Sequence, residues 1–369
     1  MTRLGDVATY INGFAFAPDD WSENGLPIIR IQDLTGNSYQ MNRYAGEYNP
    51  KYEVNRGDVL ISWSASLGVY VWQGEKALLN QHIFKVIFDK CDVDKSFYVH
   101  QVAAILEKAA SQAHGATMKH LTKPVFDALP FYLPDLPTQQ RIADTLDKVS
   151  EGIGLCRKML GELDLMVKAK FGEMFGDAKV NPFDWVQSTI GASCTLKSGT
   201  SLPIEKENEC GNIPYVKVGD MNYAGNEKYI TTSSRFVTEE TAGVGIFPVG
   251  SVVFPKRGGA IGTNKKRLTS VPICADLNVM GVIPGKQLLP QYLLAYFDTI
   301  DLGLLNNGSS VPQINNKDIA PLIISIPPIE LQEQFATFVS KIDKSRLTIQ
   351  QVLSKMELEQ KVLMQKYFG

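Results

Sequence analysis

The second half of the chain repeats the first half at a nearly constant spacing. Gly57 in the run RGDVLIS corresponds to Gly250 in VGSVVFP, an offset of 193 residues. From residue 114 onward this offset holds without a gap, so that Phe175 corresponds to Phe368 at the two ends. Nearer the amino terminus the offset is 187, and a six-residue insertion accounts for the difference. Because self-similarity at a fixed period indicates one structural unit used twice, the fold must be an internal duplication with pseudo-twofold character.

Each copy opens with a segment of short β-branched and aromatic runs. IIRIQ, VLISW and IFKVIF occur in the first copy and YVKVG, VVFP and VMGVI in the second, separated by glycine, proline and asparagine turns. Such runs predict short strands. Helical spacing of apolar residues follows at 97–111 and 290–301. The pattern therefore predicts an α+β protein with two similar, mainly β domains, which also suits a 369-residue chain that is long for one domain.

Each copy ends in a proline-marked turn, LPDLPTQQ or IPPIELQEQ, that leads into a long helical pattern. We predict helices of about 35 residues, or roughly 50 Å at the α-helical rise. The predicted boundaries are a first domain at 1–137, a first helix at 138–176, a second domain at 177–330 and a second helix at 331–369.

Both long helices carry a mainly apolar seam at alternating spacings of four and three, from Ile142 to Met174 and from Phe335 to Tyr367. The polar exceptions are Lys170 in the first helix and Arg346 and Gln360 in the second. This spacing is typical of a coiled-coil seam. Ordinary core packing is the alternative for either helix alone, but two matched seams favour mutual packing. Because the helices end equivalent repeats, we predict that they pack antiparallel and separate the two domains as in a dumb-bell. The principal predicted seam residues are Leu146, Val149, Ile153, Leu160, Leu163, Val339, Ile342, Ile349, Leu353 and Met356.

The sequence lacks the motifs of several enzyme classes. No glycine begins a GxxxxGK[ST] phosphate loop, the target-amine loop of amino-methyltransferases is absent, and the ExK string at Glu359 lies in the predicted helix. The five cysteines and four histidines show no zinc-ligand spacing, so we expect no metal and reduced cysteines. The amino terminus lacks the apolar core of a signal peptide and no window resembles a membrane span, so we expect a cytoplasmic protein with no membrane partner.

The strongest chemical signal is a basic, glycine-rich run in the second copy, FPKRGGAIGTNKKR. Its cations are Lys256, Arg257, Lys265, Lys266 and Arg267. No acidic residue occurs from 241 to 275, although the formal net charge of the chain is −2. Glycines let a polyanion approach the backbone while cations neutralise phosphates or contact guanine, so the run predicts a nucleic-acid loop. A solvated basic hairpin is the alternative. The equivalent run of the first copy, SWSASLG, offers Trp63 and Ser64, and Trp63 is equally compatible with a core position.

Two further polar features recur in both copies. The segment before each proline turn contains Thr117, Lys119 and His120 in the first copy and Ser309, Ser310, Gln313 and Asn315 in the second. The ends of two equivalent apolar runs present Arg30 and Gln32 in the first copy and Lys217 and Asn222 in the second. These side-chain types contact phosphates and base edges, which makes all of them candidate DNA-binding residues. Loop formation, turn formation and helix capping are the alternatives.

Taken together, these features resemble the specificity subunit of type I restriction-modification systems across all 369 residues. The resemblance rests on the GDVL-like runs at 57–60 and 250–253, the glycine and hydroxyl segments at 115–121 and 308–314, and the proline turns before both helices. The sequence departs from the family pattern at the PDLPTQQR turn and at the loop of the first copy, which lacks the basic cluster of the second.

The resemblance implies two target-recognition domains, each reading one half of a split target in double-stranded DNA, and spacer helices that dock two methyltransferase subunits. It also implies motor-nuclease subunits as further partners. S-adenosylmethionine, ATP and Mg would bind those partners, and no cofactor would bind this chain. Two alternatives remain open, a self-contained DNA modification enzyme and a coiled-coil adaptor that binds proteins.

Overall fold

The computed structural model describes residues 2–37, 40–112, 122–178, 180–305 and 312–369. The chain divides into two compact units. Unit 1 runs to Arg157 and resumes at Gln351–Gly369, and unit 2 is Lys158–Gln350. Each unit therefore combines one globular domain with part of both long helices.

The globular domain of unit 1 is built from short strands and short helices. Its strands are β1 Thr2–Arg3, β2 Thr9–Asn12, β3 Leu26–Ile29, β4 Arg43–Tyr44, β5 Glu53–Val54, β6 Val59–Ser62, β7 Gly68–Val71, β8 Ala77–Leu79, β9 Ile83–Ile87 and β10 Pro130–Phe131. Its helices are α1 Leu4–Val7, α2 Ile31–Leu34, α3 Lys95–Gln112 and α4 Lys123–Asp127, and short 3-10 turns lie at Pro18–Asp20 and Pro50–Tyr52.

The strands of unit 1 form two four-stranded sheets, ordered β2-β9-β6-β7 and β4-β3-β8-β5, and β1 pairs with β10. Strands β3 and β8 run parallel, and the remaining pairs of both sheets are antiparallel. Strands β6 and β8 are buried along their whole length, as their continuous apolar runs predict. The main core of the unit packs the first sheet against α3 and the spacer helices, with Phe84, Phe97 and Phe131 at its centre.

Unit 2 repeats this architecture. Its strands are β11 Val186–Thr189, β12 Cys194–Ser198, β13 Ile213–Val216, β14 Tyr229–Ile230, β15 Phe236–Val237, β16 Val252–Pro255, β17 Arg267–Thr269, β18 Cys274–Ala275, β19 Val279–Pro284 and β20 Ile323–Ile326. Its shorter helices are α6 Ile190–Ser193, α7 Glu239–Ala242, α8 Pro290–Asp298 and α9 Asn316–Ile319. Short 3-10 turns lie at Ile204–Lys206, Val218–Asn222, Gly243–Gly245, Gly259–Thr263 and Leu302–Leu305.

The sheets of unit 2 are ordered β12-β19-β16-β17-β14 and β15-β13-β18, and β11 pairs with β20. The core order β12-β19-β16-β17 repeats β2-β9-β6-β7 of unit 1, and the parallel pair β13-β18 repeats β3-β8. Gly57 and Gly250 both adopt positive φ, at 92° and 86°, in the turns that precede β6 and β16. The duplication predicted from the sequence offset is therefore present in the backbone, and the predicted α+β class is confirmed.

Two helices of 40 residues each, α5 Leu136–Phe175 and α10 Ile329–Phe368, complete both units. Each begins two residues before the predicted start and spans about 60 Å. In unit 1, Gln360 Nε2 donates to Ser150 Oγ at 2.9 Å and Arg157 pairs with Glu357 at 2.7 Å. The order of these contacts shows that the helices run antiparallel there.

The same antiparallel pairing occurs in unit 2. Arg346 pairs with Asp164 at 2.5 Å, and the rings of Phe171 and Phe335 lie 5.6 Å apart. Every predicted seam residue is buried or partly buried, whereas apolar residues off the seam, such as Leu165 and Leu358, are exposed. The 4-3 spacing therefore identified the packed face of both helices.

A pair of buried glutamines joins the start of each helix to its domain. Gln139 accepts from the Asp94 backbone N–H at 2.8 Å and donates to the Pro134 carbonyl at 2.8 Å. Gln332, the residue 193 positions later, accepts from the Leu289 N–H and donates to the carbonyls of Gln287 and Pro327. Each amide thus satisfies backbone groups that burial would otherwise leave unpaired.

Within the described ranges, no helix is long and apolar enough to cross a membrane.

Candidate nucleic-acid interface

The basic run of the second copy forms a loop, residues 256–266, between β16 and β17, which we call the glycine-rich loop. Its centre is the single 3-10 turn Gly259–Thr263. Gly258 adopts a φ of 73°, which glycine allows without strain, and Asn264 closes the turn in the left-handed region. The loop therefore has a defined backbone with turn residues at the two points where the chain changes direction.

The glycine-rich loop contacts the second predicted feature, the polar segment before the proline turn. The Gly258 N–H donates to the Pro312 carbonyl at 2.8 Å, and the Ile314 N–H donates to the Lys256 carbonyl at 2.9 Å. Arg257 Nη2 lies 3.5 Å from Gln313 Oε1, and Gln313 Nε2 donates to Asn315 Oδ1 at 2.8 Å. Two segments more than 50 residues apart in sequence thus form one polar surface.

Three cations of the loop lie on or near this surface. Arg257 is exposed and Lys265 is partly exposed, with its ammonium bonded to Asn222 Oδ1. Lys256 Nζ donates to Ser198 Oγ at 2.9 Å, and partial burial, with Arg257 beside it, lowers the pKa of Lys256. These side chains are held by neutral partners, so their positive charge is not cancelled by a carboxylate in these contacts.

The other two cations of the basic run, Lys266 at the end of the loop and Arg267 at the start of β17, have structural contacts. This corrects the sequence interpretation of the run as five available charges. Lys266 is buried and donates to Asn264 Oδ1 at 2.9 Å and to the Ile300 carbonyl at 2.6 Å. Arg267 donates to the carbonyls of Asn226, Lys266 and Met221. Burial lowers the pKa of both groups. Their donors already bind internal carbonyls, so in this conformation neither is free to neutralise a phosphate.

The glycines of the loop face open space. A Cβ atom added at Gly258, Gly259 or Gly262 would meet no other atom within 4 Å. Only Gly258 has a backbone conformation that disfavours other residues. Internal packing therefore does not require Gly259 or Gly262, and the absence of side chains there leaves the loop backbone open to close approach from outside.

The polar strand ends divide into turn-forming and outward-facing residues. Asp33 Oδ2 accepts from the Arg30 N–H at 2.8 Å, and Asp220 Oδ2 accepts from the Lys217 N–H at 2.7 Å. These equivalent aspartates form the turns after β3 and β13. Gln32 is exposed, as is Asn222 beside the glycine-rich loop. Each segment thus contains a turn-forming aspartate and an exposed polar residue that remains a candidate for DNA contact.

The two equivalent cations Arg30 and Lys217 are held differently. The Arg30 guanidinium lies 5.5 Å from the Trp21 ring centre. With its amide oxygen turned toward these two side chains, Asn42 accepts from Trp21 Nε1 and from Arg30 Nη1, each at 3.2 Å. Arg30 Nε also lies 3.7 Å from Asp33 Oδ2, whereas Lys217 Nζ pairs with Glu207 at 2.6 Å. The sequence interpretation missed Trp21 and Asn42, since they follow no repeated motif and reach Arg30 only through the fold.

The loop of unit 1 equivalent to the glycine-rich loop has a different character. Trp63 is partly buried, stacks on Phe84 at 5.6 Å with an interplanar angle of 23°, and donates to Asn12 Oδ1 at 3.2 Å. Ser64 is buried. The remaining candidates Thr117, Lys119, His120, Ser309 and Ser310 lie outside the described residues.

Comparison with known proteins identifies the family. The model described as "Type I restriction modification DNA specificity domain" matches residues 1–164 and 182–360, one match for each repeat. The chain belongs to this family. The sequence-based prediction of a type I specificity subunit, the non-catalytic member of its system, is confirmed.

Two curated relatives and a solved structure agree with this family. The chain is 28% identical to the specificity subunit of the type I restriction enzyme EcoBI of Escherichia coli, over 45% of this chain and 35% of that subunit. It is 22% identical to the MjaVIII specificity subunit of Methanocaldococcus jannaschii, over 93% of this chain and 85% of that one. The crystal structure of a type I S subunit from M. genitalium matches with a TM-score of 0.58 at 14% identity, covering 100% of this chain and 95% of that one. At this identity the structural match shows a shared fold.

Proposed function

We propose that this specificity subunit reads a split target in double-stranded DNA, one half with each recognition domain. The proposal rests on the duplication, because two equivalent domains with different loop side chains suit two different half-sites. The long helices then set the number of base pairs between the halves. Because such a role needs access to DNA, we also propose a cytoplasmic location.

One observation carries the DNA-binding part of this proposal. In unit 2 the glycine-rich loop and the polar segment at 312–315 join through the Arg257 and Gln313 pair, beside the partly exposed Lys265. Cations at this surface would contact phosphates, while amide and guanidinium groups are suited to base edges. The open glycines would let a DNA strand approach the backbone closely. Unit 1 offers fewer cations at the equivalent loop, so we propose that it depends more on Arg30 and Gln32.

We further propose that two methyltransferase subunits dock on the spacer helices. Met159 and Leu165 of α5 are 40% and 65% exposed, and the residues 193 positions later, Val352 and Leu358 of α10, are 43% and 64% exposed. Apolar residues exposed at equivalent positions of two equivalent helices suit two copies of one apolar partner surface. Motor-nuclease subunits would join this assembly for restriction.

The chemistry of modification and cleavage belongs to these partners in our proposal. S-adenosylmethionine would bind the methyltransferase subunits for adenine methylation, and ATP and Mg would bind the motor-nuclease subunits. This chain would contribute sequence recognition and positioning.

Methylome sequencing tests the proposal directly. Cells that express this chain with its cognate methyltransferase should carry methylated adenines in one two-part sequence with a fixed gap, and cells that lack this chain should not. A contiguous target, or methylation that persists without the chain, would contradict the split-target proposal. Methylation by the purified chain alone would favour a self-contained modification enzyme. A complete complex that binds no DNA at any salt concentration would favour the protein-binding adaptor.

A further inference from the structure

The recognition domain of unit 2 contacts α10 through charged side chains. Lys228 Nζ donates to Asp343 Oδ1 at 2.6 Å, and the Tyr229 hydroxyl donates to the other carboxylate oxygen. The side chains of Lys228 and Asp343 are only 22% and 20% exposed. One helix carboxylate therefore binds two adjacent residues of the recognition domain in a largely buried contact.

This contact is connected to the glycine-rich loop through the sheet. Tyr229 belongs to β14, which pairs with β17 in the register Tyr229 to Leu268. The Leu268 N–H also donates to the Lys228 carbonyl at 3.0 Å. Because β17 begins at Arg267, directly after the loop, a shift of β14 relative to α10 would move the proposed DNA-contacting surface with it.

The segment of α10 that carries Asp343 is itself tied to α5. Arg346 lies one helical turn after Asp343 and pairs with Asp164 of α5. Burial, followed by the hydrogen bond to Asp343, raises the pKa of Tyr229 far above its usual value, so its hydroxyl keeps the proton that it donates. The joint thus has directional bonds at both oxygens of Asp343.

Unit 1 uses different residues at the corresponding places. Ser150 occupies the position 193 residues before Asp343, and its Oγ accepts from Gln360 of the other helix. The domain of unit 1 is instead attached through Asp147, which accepts from Ser96 Oγ and lies 2.7 Å from His100 Nε2. The Lys228, Tyr229 and Asp343 joint is therefore particular to unit 2.

We propose that Asp343 is a positioning residue that fixes the second recognition domain on the spacer helices and thereby limits the DNA gap that the protein accepts. This inference rests on the proposed split-target function. Apolar seam contacts tolerate small rotations and shifts, whereas two directed hydrogen bonds to one carboxylate resist both. Loosening the joint would let the domain reach a half-site displaced by one base pair, a rise of about 3.4 Å.

The test uses the complete complex and DNA duplexes that carry the two half-sites found by methylome sequencing. Their gap is the native length, one base pair shorter or one base pair longer. Asp343→Asn keeps the size of the side chain but removes its charge. We expect the preference of the complex for the native gap to fall roughly tenfold, the size of a 1.4 kcal/mol coupling, while both half-site sequences are retained. Glu333→Gln, an exposed carboxylate on the same helix, is the matched control and should leave the preference unchanged.

A double-mutant cycle removes the remaining ambiguity. Lys228→Met breaks the same joint from the domain side, so this single substitution should also lower the preference for the native gap. The double variant should lower that preference little more than either single variant does. If Asp343→Asn does not assemble, Lys228→Met and Tyr229→Phe provide the same measurement.

Three outcomes are distinguishable. A relaxed gap preference with retained half-sites supports the positioning role. An unchanged preference in both Asp343→Asn and Lys228→Met, even with a lower melting temperature, overturns it, because a merely structural contact would reduce stability and overall methylation without changing the ratio between gaps. A wild-type complex that methylates no two-part target overturns the proposed function itself.

Discussion

The adjacent lysines Lys265 and Lys266 provide the sharpest test of the proposed interface. They are neighbours in sequence, but Lys265 is partly exposed and bonded to exposed Asn222, whereas Lys266 is buried and bonded to Asn264 and Ile300. Replacing each with Met removes one charge and keeps most of the side-chain length. The two variants should therefore lose different properties.

The expected magnitudes follow from these contacts. Lys265→Met should flatten the slope of log affinity against log salt by about 0.9 if its ammonium contacts one phosphate, with little change in stability. Lys266→Met leaves the Ile300 carbonyl without the donor that lies 2.6 Å away. That loss should destabilise the chain by about 2 kcal/mol, since a buried unpaired carbonyl costs this much and relief of the buried charge offsets only part of the lost bonds. For a unit of this size the melting temperature should fall by roughly 4–8 °C.

Salt-dependent DNA binding by the complete complex and thermal unfolding of the chain measure both quantities. We expect a crossed result, in which Lys265→Met changes DNA binding and its salt slope but not the melting temperature, and Lys266→Met changes mainly the melting temperature. If Lys266→Met flattens the slope by about one unit while the melting temperature stays constant, the buried lysine reaches DNA and our assignment of the loop is wrong. If neither variant changes the slope, neither lysine contacts a phosphate.

Three further predictions test other features of the molecule. Gly259→Ala should leave the melting temperature unchanged and weaken DNA binding, whereas Gly258→Ala should cost about 1 kcal/mol of stability because of its positive φ. If Gly259→Ala binds DNA as tightly as the wild type, DNA does not approach this backbone. Gln332→Leu should destabilise unit 2 by about 3 kcal/mol in denaturant unfolding, because it leaves the Leu289 N–H and two carbonyls unpaired, and a loss below about 0.5 kcal/mol would contradict that role. Inserting four residues into α10 should move one domain by roughly 6 Å, about two base pairs, so methylome sequencing should find the same half-sites with a changed gap, or no methylation if the accompanying rotation blocks docking. An unchanged gap at full efficiency would show that the helices do not set the distance.

Features of regular period could be predicted from the sequence because they depend on local spacing. The 193-residue offset predicted the duplicated sheets, and the 4-3 spacing identified the packed face of α5 and α10. The same offset also pairs Gln139 with Gln332, but residue type and spacing do not show what a glutamine amide binds. Their role depends on backbone groups of other elements, which only the fold brings to both amides.

The sequence by itself determined the family, the α+β class and the residues from which the interface could be built, since all of these follow from residue type and spacing along the chain. Only the tertiary structure decided which of the five clustered cations remain available, because burial depends on the backbone that surrounds each side chain and not on its neighbours in sequence. Lys265 and Lys266 are identical, adjacent residues, yet one is partly exposed and binds exposed Asn222, whereas the other is buried and binds the carbonyl of Ile300, 34 residues away. The joint at Asp343 likewise depends on residues 115 positions apart, which no local pattern brings together.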